Sequence, residues 1–153
     1  MRSVKDKKEL DYKQGLIFLG LIWLIGALID RIWFAIDRSI PAWDQADYLN
    51  GVVNYWEILQ QPNWFSGEWW RQFWLISPKI PPLHYVLTSP FFTLFGVSVD
   101  SATLIMLFYS AILLVSVYSL GVILFNTLVG LWAAILCLFI PGLYYYRLEF
   151  LLD

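Results

Sequence analysis

From Ser101 through Tyr146 the chain carries no charged side chain. At a rise of about 1.5 Å per residue and roughly 30 Å of hydrocarbon, such a run is long enough to cross a membrane twice and too short to cross it three times. Its only asparagine, Asn126, marks the break, in "FNT". The spacing therefore predicts one transmembrane helix over 101–125 and another over 126–146. Pro141 and Gly142, near the end of the second, are tolerated where neighbouring helices satisfy the freed carbonyls.

A further span precedes these two. The opening "MRSVKDKKELDYKQ" carries Arg2, Lys5, Lys7, Lys8 and Lys13 against three acids, the pattern of a cytoplasmic tail by the positive-inside rule, here residues 1–14. From Gly15 to Ile36 only Asp30 and Arg31 are charged, so 15–36 reads as a spanning helix. The apolar part is long and no small-residue cleavage site follows it, which favours a retained anchor over a cleaved signal peptide. Composition agrees: 59% of residues are hydrophobic and 14% charged, against roughly 45–50% and 25% in soluble domains. A net charge of -2 with scattered Lys and Arg excludes a nucleic-acid partner, which requires clustered cations. The lone Cys137 lies in an apolar run and can form neither an internal disulfide nor a thiolate metal centre.

Residues 37–100 form a large first external loop in this reading. The stretch 37–82 holds six of the nine tryptophans, a residue that favours the headgroup layer, where its ring is buried and its N–H stays wet. Leu49, Val52, Val53, Trp56 and Leu59 recur at helical spacing, with Asp47, Asn50, Asn54, Glu57 and Gln61 on other faces. That is an interfacial amphipathic helix, at whose start Asp44 serves as a cap. After the turn signal "QPNW", the stretch "SGEWWRQFW" predicts a second short helix that turns Trp70, Phe73 and Trp74 toward lipid or protein. The apolar stretch 83–98 is short for a span and contains Pro90, so it is expected to be interfacial or re-entrant. With the N-terminus inside, Asp44 and Asp153 then face the same outer compartment. The fold class expected is thus all-α: a polytopic membrane protein with three transmembrane helices and interfacial helices in its first external loop. The final "RLEFLLD", 147–153, is the start of a second external loop that stops mid-element.

The chemistry-bearing residues are few. There is no phosphate loop, no Rossmann glycine pattern, no HExxH and no CxxC. The single histidine, His84, has no serine placed beside it to complete a triad, and the spacing of Glu57, Glu68 and His84 gives no support to a metal site. What remains is a set of acids and bases around the outer end of the spans: Asp44 and Asp47, Lys79 before "IPPL", then Arg147, Glu149 and Asp153.

In order and spacing, a hydrophobic helix, "WDQADY", an aromatic amphipathic loop, "KIPPLHY", two helices and "RLEFLLD" resemble the N-terminal part of the GT-C membrane glycosyltransferases. The likeness is greatest to the aminoarabinose transferases and protein O-mannosyltransferases of glycosyltransferase family 39. It covers essentially the whole chain, and implies a polytopic enzyme that moves a sugar from a polyprenyl-phosphate carrier to a lipid, glycan or protein acceptor at the outer face of a bacterial inner membrane. The family's acidic-x-x-x-Tyr element matches Asp44 and Tyr48, with Gln45 where the family has a second acid and Asp47 close enough to supply part of its field. Its Lys-Pro-Pro-Leu-Tyr element matches Lys79, Pro81, Pro82, Leu83 and Tyr85, with Ile80 as an extra residue. Its later external carboxylate matches Asp153.

The resemblance makes Asp44 the catalytic base or acceptor-orienting acid. Lys79, with Arg147, steadies the departing phosphate, and Asp47, Tyr48, Tyr85 and Asp153 complete substrate binding. Transfer from a phosphate-linked sugar needs such a base and such a cation. No cofactor is implied with certainty, and a divalent metal stays open. Two other readings stand beside it: a small helical accessory or scaffold protein whose acids only cap helices, and, more weakly, a transporter fragment signalled by the intramembrane charges Asp30 and Arg31.

Overall fold

The computed structural model describes residues 10–37, 43–77 and 80–150. Among these every regular element is a helix: α1 (Tyr12–Ile36), α2 (Trp43–Gln60), α3 (Gly67–Leu75), α4 (Leu83–Phe95), α5 (Val99–Ala102), α6 (Leu104–Leu124), α7 (Thr127–Leu138) and α8 (Pro141–Leu148). Two stretches are long and apolar enough to cross a membrane, α1 and the nearly continuous Val99–Leu124, and α7 with α8 makes a third if that bent pair is one span.

The ends of α1 follow from local chemistry. Asp11 and Gln14 form a capping box at its start, satisfying N–H groups that the first turn leaves without partners. One narrow stripe of α1 is buried, Gly15, Leu19, Ala27 and Asp30, while Ile17, Phe18, Leu21, Leu24, Ile25 and Ile32 point outward. An apolar exterior around a thin buried seam is what a helix surrounded by hydrocarbon presents.

Three polar contacts fix α1 antiparallel to α6. The Tyr118 hydroxyl donates to the Tyr12 carbonyl at 2.8 Å, Trp23 Nε1 donates to Ser110 Oγ at 2.9 Å, and Arg31 donates to the Asp100 carbonyl at 2.8 Å and to Thr103 Oγ1 at 3.2 Å. Helix α7 then runs back along α6. A Cβ on Gly121 would stand 2.5 Å from the Gly130 Cα, and one on Gly130 would stand 2.5 Å from the Tyr118 carbonyl oxygen. Small residues let apolar helices approach this closely, which brings their backbones into dispersion contact.

The expected third helix, 126–146, is two helices bent by 60°. Asn126 caps α7 by accepting from the Val129 N–H at 2.9 Å, as the break at "FNT" suggests. At the other end Pro141 has no N–H to give and its ring crowds the preceding turn. The last turn therefore tightens, with Phe139 N–H on the Leu136 carbonyl at 3.0 Å and Ile140 N–H on that of Cys137 at 3.3 Å, and α8 restarts with Pro141 in its first turn. Helix α8 runs on to Leu148, so Arg147, expected in a loop, is helical.

The apolar interior has two parts. Leu19, Leu114, Tyr118 and Ala134 join α1, α6 and α7. A larger, mostly aromatic cluster joins α2, α3 and α4 to α5, the start of α6 and Phe150 just after α8: Tyr48, Val52, Tyr55, Trp69, Phe73, Tyr85, Phe92, Ala102, Ile105 and Phe150. On α2 the buried line is Tyr48, Val52 and Tyr55, with Asn50, Asn54 and Glu57 exposed. Its seam is thus centred on two tyrosines that the aliphatic pattern passes over. On α3, Trp69 and Phe73 are buried and Trp70 and Trp74 exposed. Pro90 sits inside α4, where Thr88, Ser89 and Thr93 hydroxyls donate to carbonyls one turn back, and Gly96, at φ 85°, ends the helix.

Replacing Gly130 with valine is expected to force α6 and α7 apart and to cost about 1–3 kcal/mol, the usual range for overpacking. Gly20, beside which a Cβ would meet nothing within 4 Å, is the control. Denaturant unfolding in detergent should show Gly130→Val destabilised and Gly20→Ala not; equal midpoints would mean that the α6–α7 contact is looser than described.

Candidate functional site

The antiparallel order brings one set of helix ends together. Trp33 and Asp37 from the end of α1, Gln45 from the first turn of α2, Asp100 from α5 and Glu149 after α8 all line one cavity of about 440 Å³. Asp44 lies beside Gln45 in the first turn of α2 and is exposed, as is Asp47 one turn later.

Tyr48 and Tyr85 are buried in the aromatic cluster. The Tyr85 ring stacks on that of Tyr55, with centroids 5.3 Å apart and planes 17° from parallel. Gly51 makes room for it, since a Cβ there would lie 2.9 Å from the Tyr85 ring. Ser77 meets the Tyr85 phenol through its side chain, while the Tyr55 hydroxyl is buried without a hydrogen-bond partner among the described residues. Burial raises both phenol pKa values, with Asp47 adding to the shift at Tyr85. Both therefore remain neutral hydroxyls at physiological pH.

His84 faces the other way, toward α6. Its Nδ1 lies 3.2 Å from the Tyr109 hydroxyl, its ring packs against Phe150 at 4.8 Å, and its Nε2 is buried without a hydrogen-bond partner among the described residues. Burial pushes the imidazole down to about 4, so it is neutral. Glu68 lies on exposed α3, bonded to Arg71 at 3.0 Å, which together with Gln72 lowers its pKa. Among the described residues no three His, Cys, Asp or Glu side chains are grouped to hold a metal ion.

Arg147 is engaged by the protein itself. Its Nε lies 2.8 Å from Asp30 Oδ2 and its Nη2 donates to Oδ1 at 3.0 Å, while Tyr144 lies under the guanidinium at 5.2 Å. On its other side Arg147 borders an apolar cavity of about 270 Å³ lined by Tyr109, Leu113, Leu138 and Tyr144, among others. Lys79 and Asp153 lie outside the described residues. Of the residues singled out from sequence, then, Asp47, Tyr48 and Tyr85 share the α2–α4 face, Asp44 precedes Gln45, which lines the terminal cavity, and Arg147 belongs to a separate buried contact. Sequence reasoning missed Tyr55, although Tyr48, Val52, Tyr55 and Leu59 keep helical spacing. It takes Asp30 only together with Arg31, as intramembrane charges, and does not pair it with Arg147.

Compared with protein-family models, curated proteins and solved structures, the chain finds no match.

The neutral His84 sets a pH dependence. Its folded pKa of about 4 lies below the ordinary 6.5, so between these values the unfolded chain binds more protons. Stability from the neutral ring is complete above pH 6.5 and is lost as pH falls toward 4, by up to about 3 kcal/mol. Replacing His84 with phenylalanine should flatten the unfolding midpoint against pH over that window; an unchanged slope would assign it to other groups.

Proposed function

We propose that this chain is the N-terminal part of an integral-membrane glycosyltransferase that passes a sugar from a polyprenyl-phosphate carrier to an acceptor at the outer face of a bacterial inner membrane. The observation that carries the reading is the convergence at one end of the bundle. Gln45 and Glu149 border the same cavity, so the acid-bearing start of α2 and the end of α8 share one side, as the order of elements in the resemblance requires. Two exposed acids, Asp44 beside Gln45 and Asp47 one turn on, lie at the start of α2.

In this reading three spans cross the membrane, the bent α7–α8 pair being the third, and α2, α3 and α4 lie at the outer interface. Exposed Trp64, Phe65, Trp70 and Trp74 suit a headgroup layer. Helix α4 reaches α6 near its start, at Ile105 and Tyr109, which supports a helix lying at the outer end. Asp44 takes the proton from the acceptor hydroxyl or amine, and Lys79 stabilises the departing phosphate. Arg147, bound to Asp30, contributes to that field from a distance and not as a direct ligand. Buried Tyr48 and Tyr85 shape the wall behind the acids.

The second reading, a helical accessory or scaffold protein, is favoured by one observation: Tyr48, Tyr85 and Arg147 are all consumed by internal packing or pairing. The two readings part on Asp44. In a transfer assay with a polyprenyl-phosphate sugar donor, Asp44→Asn in the complete protein should lower kcat by roughly 10²–10⁴, the range for loss of a general base, and Asp47→Asn by much less. Unchanged turnover in Asp44→Asn, or none in the parent, favours the scaffold. Topology is checked separately in a Cys137→Ser background, where cysteines at 47 and 149 should label from outside and one at 126 should not.

A further inference from the structure

Helix α8 is bent away from α7, begins at a proline without a side-chain cap, and has no residue that is itself fully buried. Leu143, Tyr144, Tyr145 and Tyr146 are all substantially exposed. Apolar packing of α8 itself is therefore a weak account of why it stays where it is, although Phe150, two residues beyond its end, is fully buried in the aromatic cluster. The strong contact it does make is ionic: the Arg147 side chain is 10% exposed and the Asp30 carboxylate 0%, joined at 2.8 Å. Breaking one side of such a pair leaves a charge buried without a partner, which is far more costly than separating an exposed pair.

The next residue of α1 acts on a different neighbour. Arg31 donates to the Asp100 carbonyl and to Thr103 Oγ1, and its guanidinium lies 4.5 Å from the Phe34 ring centroid. Consecutive helical positions point about 100° apart, at 3.6 residues per turn, so one turn of α1 grips α8 with Asp30 and the α5–α6 junction with Arg31. Both gripped elements then supply walls of the 440 Å³ cavity, Asp100 from one and Tyr145 and Glu149 from the other.

We propose that Asp30 and Arg31 form a two-way clamp whose task is positional: it sets the end of α8 and the start of α5 opposite the first turn of α2, and so fixes the width of the cavity mouth beside Asp44. As a statement about catalysis this rests on the transferase reading; as a statement about geometry it does not. Asp30 and Arg31 are positioning residues that touch no substrate.

The test uses pulsed electron-spin distances on the full chain in nanodiscs, in a Cys137→Ser background. One label pair replaces Gln45 and Glu149 across the mouth, and a control pair replaces Gly20 and Val115 on α1 and α6. The double variant Asp30→Ala/Arg147→Ala leaves neither of these two charges buried without its partner, so it avoids the folding penalty of the single substitutions. It should broaden the 45–149 distribution roughly twofold, as for a segment with few buried contacts, while 20–115 stays as in the parent. The exchange Asp30→Arg/Arg147→Asp should narrow 45–149 again. An unchanged 45–149 distribution in the double-alanine variant overturns the clamp, and so does equal broadening at both pairs, which would make the contact a general stabiliser. Broadening confined to the mouth, where the complete protein transfers no sugar, keeps the clamp and removes the transferase reading.

Discussion

An ionised carboxylate and a guanidinium that leave water must find each other, and Asp30 and Arg147 do so across 117 residues of sequence. Much of the architecture at that end follows from the meeting. For Arg147 to reach Asp30, the chain after α6 has to turn back along its neighbour and then bend, and the bend is supplied by a proline that cannot continue the helix. The α1–α6 contacts, from Tyr12–Tyr118 at one end to Arg31–Thr103 at the other, keep the carboxylate at the level where the returning helix arrives.

Two different kinds of packing are joined in this chain. The α1–α6–α7 part is aliphatic, thin and close, with two glycines in contact and large apolar side chains turned outward. The α2–α3–α4 part is aromatic, with rings meeting edge-on or stacked and polar residues on its exposed faces. The first gains little from expelling water if hydrocarbon surrounds it, and depends on close approach. The second has a more conventional core with amphipathic helices around it. Their junction is the first turns of α5 and α6, where Ala102 and Ile105 enter the aromatic cluster while Thr103 serves Arg31.

Much of this organisation was legible in the sequence because length and charge speak directly about helices in an apolar medium. The uncharged run, the break at Asn126 and the short helix after "QPNW" each have a local cause, and the structure has an element boundary at each. Pro141 is tolerable inside a helix where neighbours satisfy the freed carbonyls, yet here it opens a new helix after a 60° bend. Tyr48 and Tyr55 were harder, since a tyrosine at an amphipathic boundary can face either way until its partner, Tyr85 on another helix, is known. Arg147 shows the limit most clearly. A cation near a span's end looks available to a phosphate, and only the tertiary arrangement reveals a carboxylate already holding it.

The tryptophans between α2 and α4 have an optical consequence. Trp64, Trp69 and Trp70 form a triangle with centroid separations of 4.9, 4.9 and 5.8 Å and planes inclined by 50–85°. Indole transition dipoles this close and this skewed exchange excitation, which splits their ultraviolet bands into a circular-dichroism couplet overlapping the helix signal. Helix content read from far-ultraviolet dichroism will therefore be distorted by the triangle, and the couplet itself reports whether the α2–α3 corner is assembled.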